Sequence, residues 1–230
     1  MIFRQMFDPV SATYTYLIAE RRGGEALLID PVQEHALRYV QLVEELGLKL
    51  VLAADTHIHA DHVTALGELR TWTDCATAMG EMTRTECVSV HFREGEKLRA
   101  DGIALEVLYT PGHTDDSYSF LLPDRVLTGD TLLIRGTGRT DFQNGDAAAQ
   151  YDSLFHKLLK LPRQTLVFPA HDYNGMTVST IGEELQWNPR LQVSGKNEYV
   201  DLMNGLVLDD PRLMDVAVPA NRSCGLRSAA

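Results

Sequence analysis

Seven residues, Thr56-His57-Ile58-His59-Ala60-Asp61-His62, restrict this chain more than any other stretch. Imidazole nitrogen and carboxylate oxygen are the donors that hold borderline first-row metals, and four of them fall within six residues here. A lone histidine is ordinarily a surface or hydrogen-bonded residue, but random composition seldom places this many donors together. The run before the loop, residues 48–54, is apolar almost throughout, as a buried central strand is. It delivers the chain directly into Asp55-Thr56-His57, so the donors sit at the C-terminal end of a strand.

Other donors follow strands in the same way. Residues 103–109 and 117–122 read as strands and 126–128 as a short third, with Pro111-Gly112-His113 and Gly129-Asp130 just beyond strand ends. Residues 147–161 carry Leu154, Leu158 and Leu161 at helical spacing, and 165–168 return as a strand ending in Pro169-Ala170-His171. Upstream, residues 12–19 and 25–30 flank Arg21-Arg22-Gly23-Gly24 as a β-hairpin, and 34–46 form a helix stopped by Gly47. Strands and helices alternate through both halves, which predicts an α/β fold of two sheets packed together with helices outside.

The collected donors are His57, His59, Asp61, His62, His113, Asp130 and His171. By count they suit two metal ions bridged by Asp130, as in a two-metal hydrolase. Two histidines and one carboxylate would instead leave positions open for oxygen and substrate at ferrous iron, and composition does not choose between the two. His35 and His156 fall in helical patterns and His91 has no donor neighbour, so these three read as structural or surface residues.

A chain of 230 residues with 44% hydrophobic content can bury one sizeable core, and no linker, repeat or low-complexity stretch divides it. A single domain over residues 1–230 is expected. The formal net charge of -11 opposes binding to nucleic acid or to an anionic membrane. Cys75, Cys87 and Cys224 are odd in number and lack C-x-x-C spacing, which argues against a disulfide framework and for a reducing compartment. Residues 1–10 lack an apolar signal region. The expected location is the cytoplasm, or the mitochondrial matrix if a presequence has been removed.

The ordered donors resemble the metallo-β-lactamase superfamily, with its His-x-His-x-Asp-His loop, later histidine, bridging aspartate and final histidine. Residues 128–143, Thr-Gly-Asp-Thr-Leu-Leu-Ile-Arg-Gly-Thr-Gly-Arg-Thr-Asp-Phe-Gln, and 169–175, Pro-Ala-His-Asp-Tyr-Asn-Gly, resemble the persulfide dioxygenase branch of it. So do Thr177-Val-Ser-Thr180, Asn188-Pro-Arg190 and Val218-Pro-Ala-Asn221.

This resemblance implies an αββα sandwich of the metallo-β-lactamase type and one Fe(II) per chain, held by His57, His113 and Asp130. It makes His59, Asp61, His62 and His171 either supports for those ligands or remains of a second metal site. The implied reaction is oxidation of glutathione persulfide by O2 and water to sulfite and glutathione, in sulfide catabolism. Glutathione carries two carboxylates, for which Arg139, Arg190 and Tyr173 are the candidate partners. A homodimer is left open.

The sequence departs from the family pattern after Pro-Gly-His-Thr, where Asp115-Asp116-Ser117 replace Pro-Gly and a small residue. The two carboxylates read as a solvated turn. Two other readings stand beside the dioxygenase. One is a dinuclear zinc thioester hydrolase of the glyoxalase II type, against which the short stretch after His171 argues. The other is a metal-dependent RNA-processing or non-catalytic metal-binding protein, against which the net charge argues.

Overall fold

The structure is a computed structural model that describes residues 1–208 and 213–226. It divides into two compact units, Met1–Leu105 with the described part of Asp210–Ala230, and Glu106–Asp209.

The first unit is built on a six-stranded sheet in the order β1-β2-β3-β4-β5-β6. Its strands are β1 (Ile2–Asp8), β2 (Thr13–Ala19), β3 (Glu25–Ile29), β4 (Lys49–Ala54), β5 (Ala76–Gly80) and β6 (Val90–Phe92). The first three pair antiparallel, and β3 to β6 run parallel. The predicted hairpin is the β2/β3 pair, with Tyr16 opposite Ile29. Strand β1, which pairs with β2 from Ile2 opposite Ala19 to Asp8 opposite Thr13, was not anticipated.

The crossover helices are α1 (Ala36–Glu45), within the predicted 34–46, and α2 (Leu66–Thr73). Helix α1 buries Ala36, Tyr39 and Val43, spaced three and four apart, against Leu17, Leu28 and Leu50. Tyr39 also places its hydroxyl 2.9 Å from Thr15 Oγ1, so a polar tip in the core is satisfied by a strand threonine. Four parallel strands thus lie side by side, and Asp30 after β3 and Asp55 after β4 mark their C-terminal edge.

The second sheet has the order β12-β11-β10-β9-β8-β7, and the division between the units falls inside β8. Its strands are β7 (Lys97–Ala100), β8 (Ile103–Tyr109), β9 (Tyr118–Leu121), β10 (Arg125–Leu127), β11 (Leu166–Phe168) and β12 (Ser179–Thr180). Strands β8, β9 and β10 form an antiparallel meander, and β11 joins β10 in parallel after a helical crossover.

That crossover is α3 (Ala147–His156), started by Asp146, whose carboxylate accepts from the amides of Ala148 and Ala149. The sequence pattern carried this helix to 161. The backbone leaves helical geometry at Lys157, and a short 3-10 turn over Leu158–Lys160 buries Leu158 and Leu159 instead.

Helices α4 (Ile181–Trp187) and α5 (Lys196–Asn204) complete the second unit, whose core collects Val126, Leu154, Val167, Ile181 and Tyr199. The chain then returns to the first unit as α6 (Met214–Asn221). No helix among the described residues is long and apolar enough to cross a membrane.

Candidate metal centre

In the first unit the loop after β4 is folded around a buried carboxylate. Asp30 is 1% exposed and sits at φ 51°, and its Oδ1 accepts from the amide and the hydroxyl of Thr56 at 2.7 and 3.0 Å. The same oxygen lies 3.1 Å from His59 Nε2. Burial pushes the Asp30 carboxyl up to about 6, with the charge of His57 and the Thr56 hydrogen bonds pulling the other way.

These contacts set the histidine tautomers. The Thr56 hydroxyl donates to Asp30, so towards His57 Nδ1, 3.0 Å away, it acts as acceptor. That proton assignment leaves His57 Nε2 as the lone-pair atom. By the same reasoning the contact of His59 Nε2 with Asp30 makes Nδ1 the ligand atom of His59. His62 Nδ1 lies 3.0 Å from Asp61 Oδ2 and 3.2 Å from Thr13 Oγ1, which leaves Nε2. A metal-ligating imidazole is ordinarily held in this way, through the nitrogen that does not bind the ion. The three rings pack closely, with centroids 4.1 Å apart for His57 and His59 and 4.3 Å for His59 and His62.

Asn221, at the end of α6, holds the same loop from behind. Its Nδ2 donates to the carbonyls of His59 and His62, both at 2.9 Å, and its Oδ1 accepts from the Thr64 amide at 2.8 Å. One buried side chain thereby satisfies three backbone groups of an irregular loop.

In the second unit His113 and His171 flank Asp130. His113 Nε2 lies 3.6 Å from Asp130 Oδ2, and His171 Nδ1 lies 2.7 Å from Asp130 Oδ1. His113 Nδ1 donates to the Arg139 carbonyl at 2.8 Å, which aims Nε2 and its lone pair towards Asp130.

Glycine permits this approach. A Cβ at residue 112, where φ is 138°, would come within 2.3 Å of Gln150 Cα. One at residue 138 would come within 2.2 Å of the Asp130 carbonyl and 2.8 Å of the His113 ring. Gly129, with φ 52°, turns the chain into Asp130, as its place before the aspartate suggested.

The loop carrying Arg139 is fixed by a second buried carboxylate. Glu184 accepts from the Arg135 amide at 2.8 Å, from the Arg135 guanidinium, from Ser179 Oγ at 2.5 Å and from Asn188 Nδ2 at 2.9 Å. Asn188 also donates to the Gly136 carbonyl.

The proposed substrate-side residues have distinct surroundings. The Arg139 guanidinium grips Asp141 through two bonds of 2.7 and 2.8 Å and holds that carboxyl below its usual range. Arg190 donates to the Thr137 carbonyl and hydroxyl, and burial lowers its pKa. Tyr173 is 70% exposed and stacks on His171, with centroids 6.1 Å apart.

Two sequence readings need correction. Asp115 is exposed, as a solvated turn requires, but Asp116 is only 4% exposed. Cys87 and Cys224, read as unpaired thiols, form a disulfide across 137 residues, because the return of α6 brings them together, and Cys75 is the free cysteine. The other histidines have structural partners, as expected: Asp8 for His35, the Thr85 carbonyl for His91 and Asp152 for His156. Sequence reading gave no role to Asp30, Asn221, Gly138 or Glu184, although Asn221 and Gly138 lie within the family-like segments 218–221 and 128–143 and Asp30 is a carboxylate at the end of a buried strand.

Both donor sets are hard or borderline nitrogen and oxygen ligands with fixed lone pairs, the chemistry of a first-row divalent metal site. The metallo-β-lactamase superfamily model matches residues 8–171, and the chain belongs to that superfamily. The fold is accordingly the α/β class expected.

A mitochondrial persulfide dioxygenase, ETHE1, of Mus musculus is 47% identical over 99% of this chain and 90% of its own length. The Homo sapiens protein is 46% identical over the same shares. The crystal structure of ETHE1 from Myxococcus xanthus superposes with a TM-score of 0.94 at 51% identity, covering 98% of this chain and all of that one. Within the superfamily the chain is thus a member of the persulfide dioxygenase family.

Proposed function

We propose that the chain is an iron(II)-dependent persulfide dioxygenase that converts glutathione persulfide, O2 and water into glutathione, sulfite and two protons. The observation that carries this reading is the near full-length identity to persulfide dioxygenases, which spans the 57–62 loop, His113 and the 128–143 segment. The family model runs across the division at residue 105, which supports reading 1–230 as one domain made of both units.

His57, His113 and Asp130 are the residues we assign to the iron, through His57 Nε2, His113 Nε2 and an Asp130 carboxylate oxygen. Bound there, iron supplies a centre at which dioxygen and a persulfide sulfur can react. The chain's own contribution is positioning. Thr56 and the Arg139 carbonyl keep Nδ1 of the two histidines protonated, and the Asp30 carboxylate orients both Thr56 and His59. His171 holds one oxygen of Asp130 and directs the other towards His113.

His59, Asp61 and His62 act in this reading as supports that keep the loop polar and ordered. Arg139 offers a planar fork already aimed by Asp141, and a glutathione carboxylate would compete with Asp141 for it. Tyr173 adds an exposed phenol beside His171, while Arg190 contributes by fixing Thr137.

Oxygen consumption with glutathione persulfide, alongside iron and zinc quantification, tests the proposal. One iron per chain with persulfide-dependent oxygen uptake is expected. Two zinc ions per chain, thioester hydrolysis and no oxygen uptake would make it a hydrolase of the glyoxalase II type.

A further inference from the structure

We propose that the Cys87–Cys224 disulfide is a thiol-responsive latch that sets the order of the 57–62 loop through Asn221. The inference concerns the order of the loop: its amide-exchange readout on the metal-free chain is independent of the function above, and only its iron-release readout rests on that reading.

The bond joins two segments that otherwise meet through a few hydrogen bonds. On one side Thr85 donates to the Arg222 carbonyl at 2.7 Å, and Arg70 holds the Cys87 carbonyl at 2.6 Å. On the other, the Cys224 carbonyl accepts from the Gly67 amide, and the Gly225 carbonyl accepts from Gln33. Gly225 passes so near the loop that a Cβ there would come within 2.1 Å of the Thr64 carbonyl. Asn221 is three residues before Cys224, and it carries the bonds to His59, His62 and Thr64. Whatever tethers Cys224 therefore also limits how far Asn221 can leave the loop.

The two sulfur ends differ in access. Cys224 is fully buried, whereas Cys87 is half-buried on a segment whose neighbours Glu86 and Ser89 are exposed. A small thiolate can attack Cys87 Sγ, forming a mixed disulfide there and expelling Cys224 as a thiolate that takes up a proton. A second small thiol then attacks the mixed disulfide and releases Cys87. In sum, two thiols are oxidised to one small disulfide and the protein disulfide gains two electrons and two protons. A partly exposed disulfide is open to attack by small thiols, as a fully buried one is not.

The test uses the full chain equilibrated with oxidised glutathione and then with reduced glutathione. Alkylation and mass analysis should count one reactive thiol in the first state, from Cys75, and three in the second. Amide exchange across residues 57–66 of the metal-free chain, and chelator removal of bound iron, should both be about tenfold faster after reduction, the scale of losing a ligand-supporting contact.

Cys87→Ser should show the fast values in both conditions, Asn221→Ala should match it, and Cys75→Ser should respond like the parent. Three thiols after oxidised glutathione would overturn the proposal. So would one thiol with exchange and metal release unchanged by reduction. If Cys87→Ser does not fold, reduction of the parent decides alone, since it alters only the two sulfurs.

Discussion

Replacing Glu184 with alanine tests whether the second unit's proposed metal ligands depend on a carboxylate far along the chain. Glu184 is fully buried and accepts from four donors: the Arg135 amide, the Arg135 guanidinium, the Ser179 hydroxyl and the Asn188 amide. Removing one member of a buried ion pair costs about 3–5 kcal/mol, because the partner stays desolvated. The Arg135 side chain is 29% exposed and regains some water, which places the loss near the lower bound, about 3 kcal/mol. For a chain of this length that is a fall in melting temperature of roughly 6–12 °C.

Glu184→Gln keeps one acceptor but turns an NH2 towards the guanidinium, so about 2 kcal/mol is expected. Urea denaturation of both variants and of Arg135→Ala supplies the cycle. The double variant should lose clearly less than the sum of the single losses. A loss below about 1 kcal/mol for Glu184→Ala, or simple additivity, would refute the assignment. Because the 133–139 loop supplies the carbonyl that orients His113, the variant should also release iron faster than the parent.

His113→Ala and Asp130→Ala should abolish iron retention, whereas Arg139→Ala should raise KM for the persulfide with iron still bound. Equal loss of iron in all three, by metal analysis, contradicts those roles. Gly138→Ala should lower both stability and metal content, since its Cβ would lie 2.2 Å from the Asp130 carbonyl; a chain with full iron content would show that the loop can yield. Asp30→Asn should weaken metal binding by roughly 10–100-fold in chelator competition.

At high pH the buried phenols dominate. Burial pushes Tyr39 and Tyr199 up to about 12, while in the unfolded chain they ionise near pH 10. Their contribution is fully present below pH ~10 and is lost as pH rises towards ~12, because the unfolded state releases its protons first. Stability measured by denaturant should therefore fall above pH ~10, by about 2–3 kcal/mol for each tyrosine. A flat profile would mean these hydroxyls reach water.

The donor loop was legible because its signal is local: six consecutive residues after an apolar strand carry the chemistry in their spacing. The groups that give each histidine its role are not local. Asp30 precedes Thr56 by 26 residues and Asn221 follows His59 by 162, and a single aspartate or asparagine is commonplace in any sequence. The disulfide was hidden twice over, by an odd cysteine count that suggested free thiols and by a separation of 137 residues. Helix α3 was read too long because Leu158 and Leu161 continue its apolar spacing after the backbone has changed geometry at Lys157. Strand β1 escaped because its burial is partial and irregular, with only Asp8 fully buried.

The donor count and the assigned iron site differ for a reason visible in the histidines themselves. An imidazole offers a metal one nitrogen, and the partner of its other nitrogen decides which one. His57 is oriented by a neutral hydroxyl and His113 by a backbone carbonyl, both uncharged acceptors. His59 and His62 instead have carboxylates, Asp30 and Asp61, beside the non-ligating nitrogen. A carboxylate binds the ring it faces more tightly than a neutral acceptor does, so His59 and His62 are committed to Asp30 and Asp61 while His57 and His113 have weaker neighbours. The same seven donors can therefore hold one ion or two by count without being equivalent. Metal titration should fill the proposed His57, His113 and Asp130 set first, with any second ion binding more weakly. A second ion of equal affinity would show that the carboxylates do not separate the two sets.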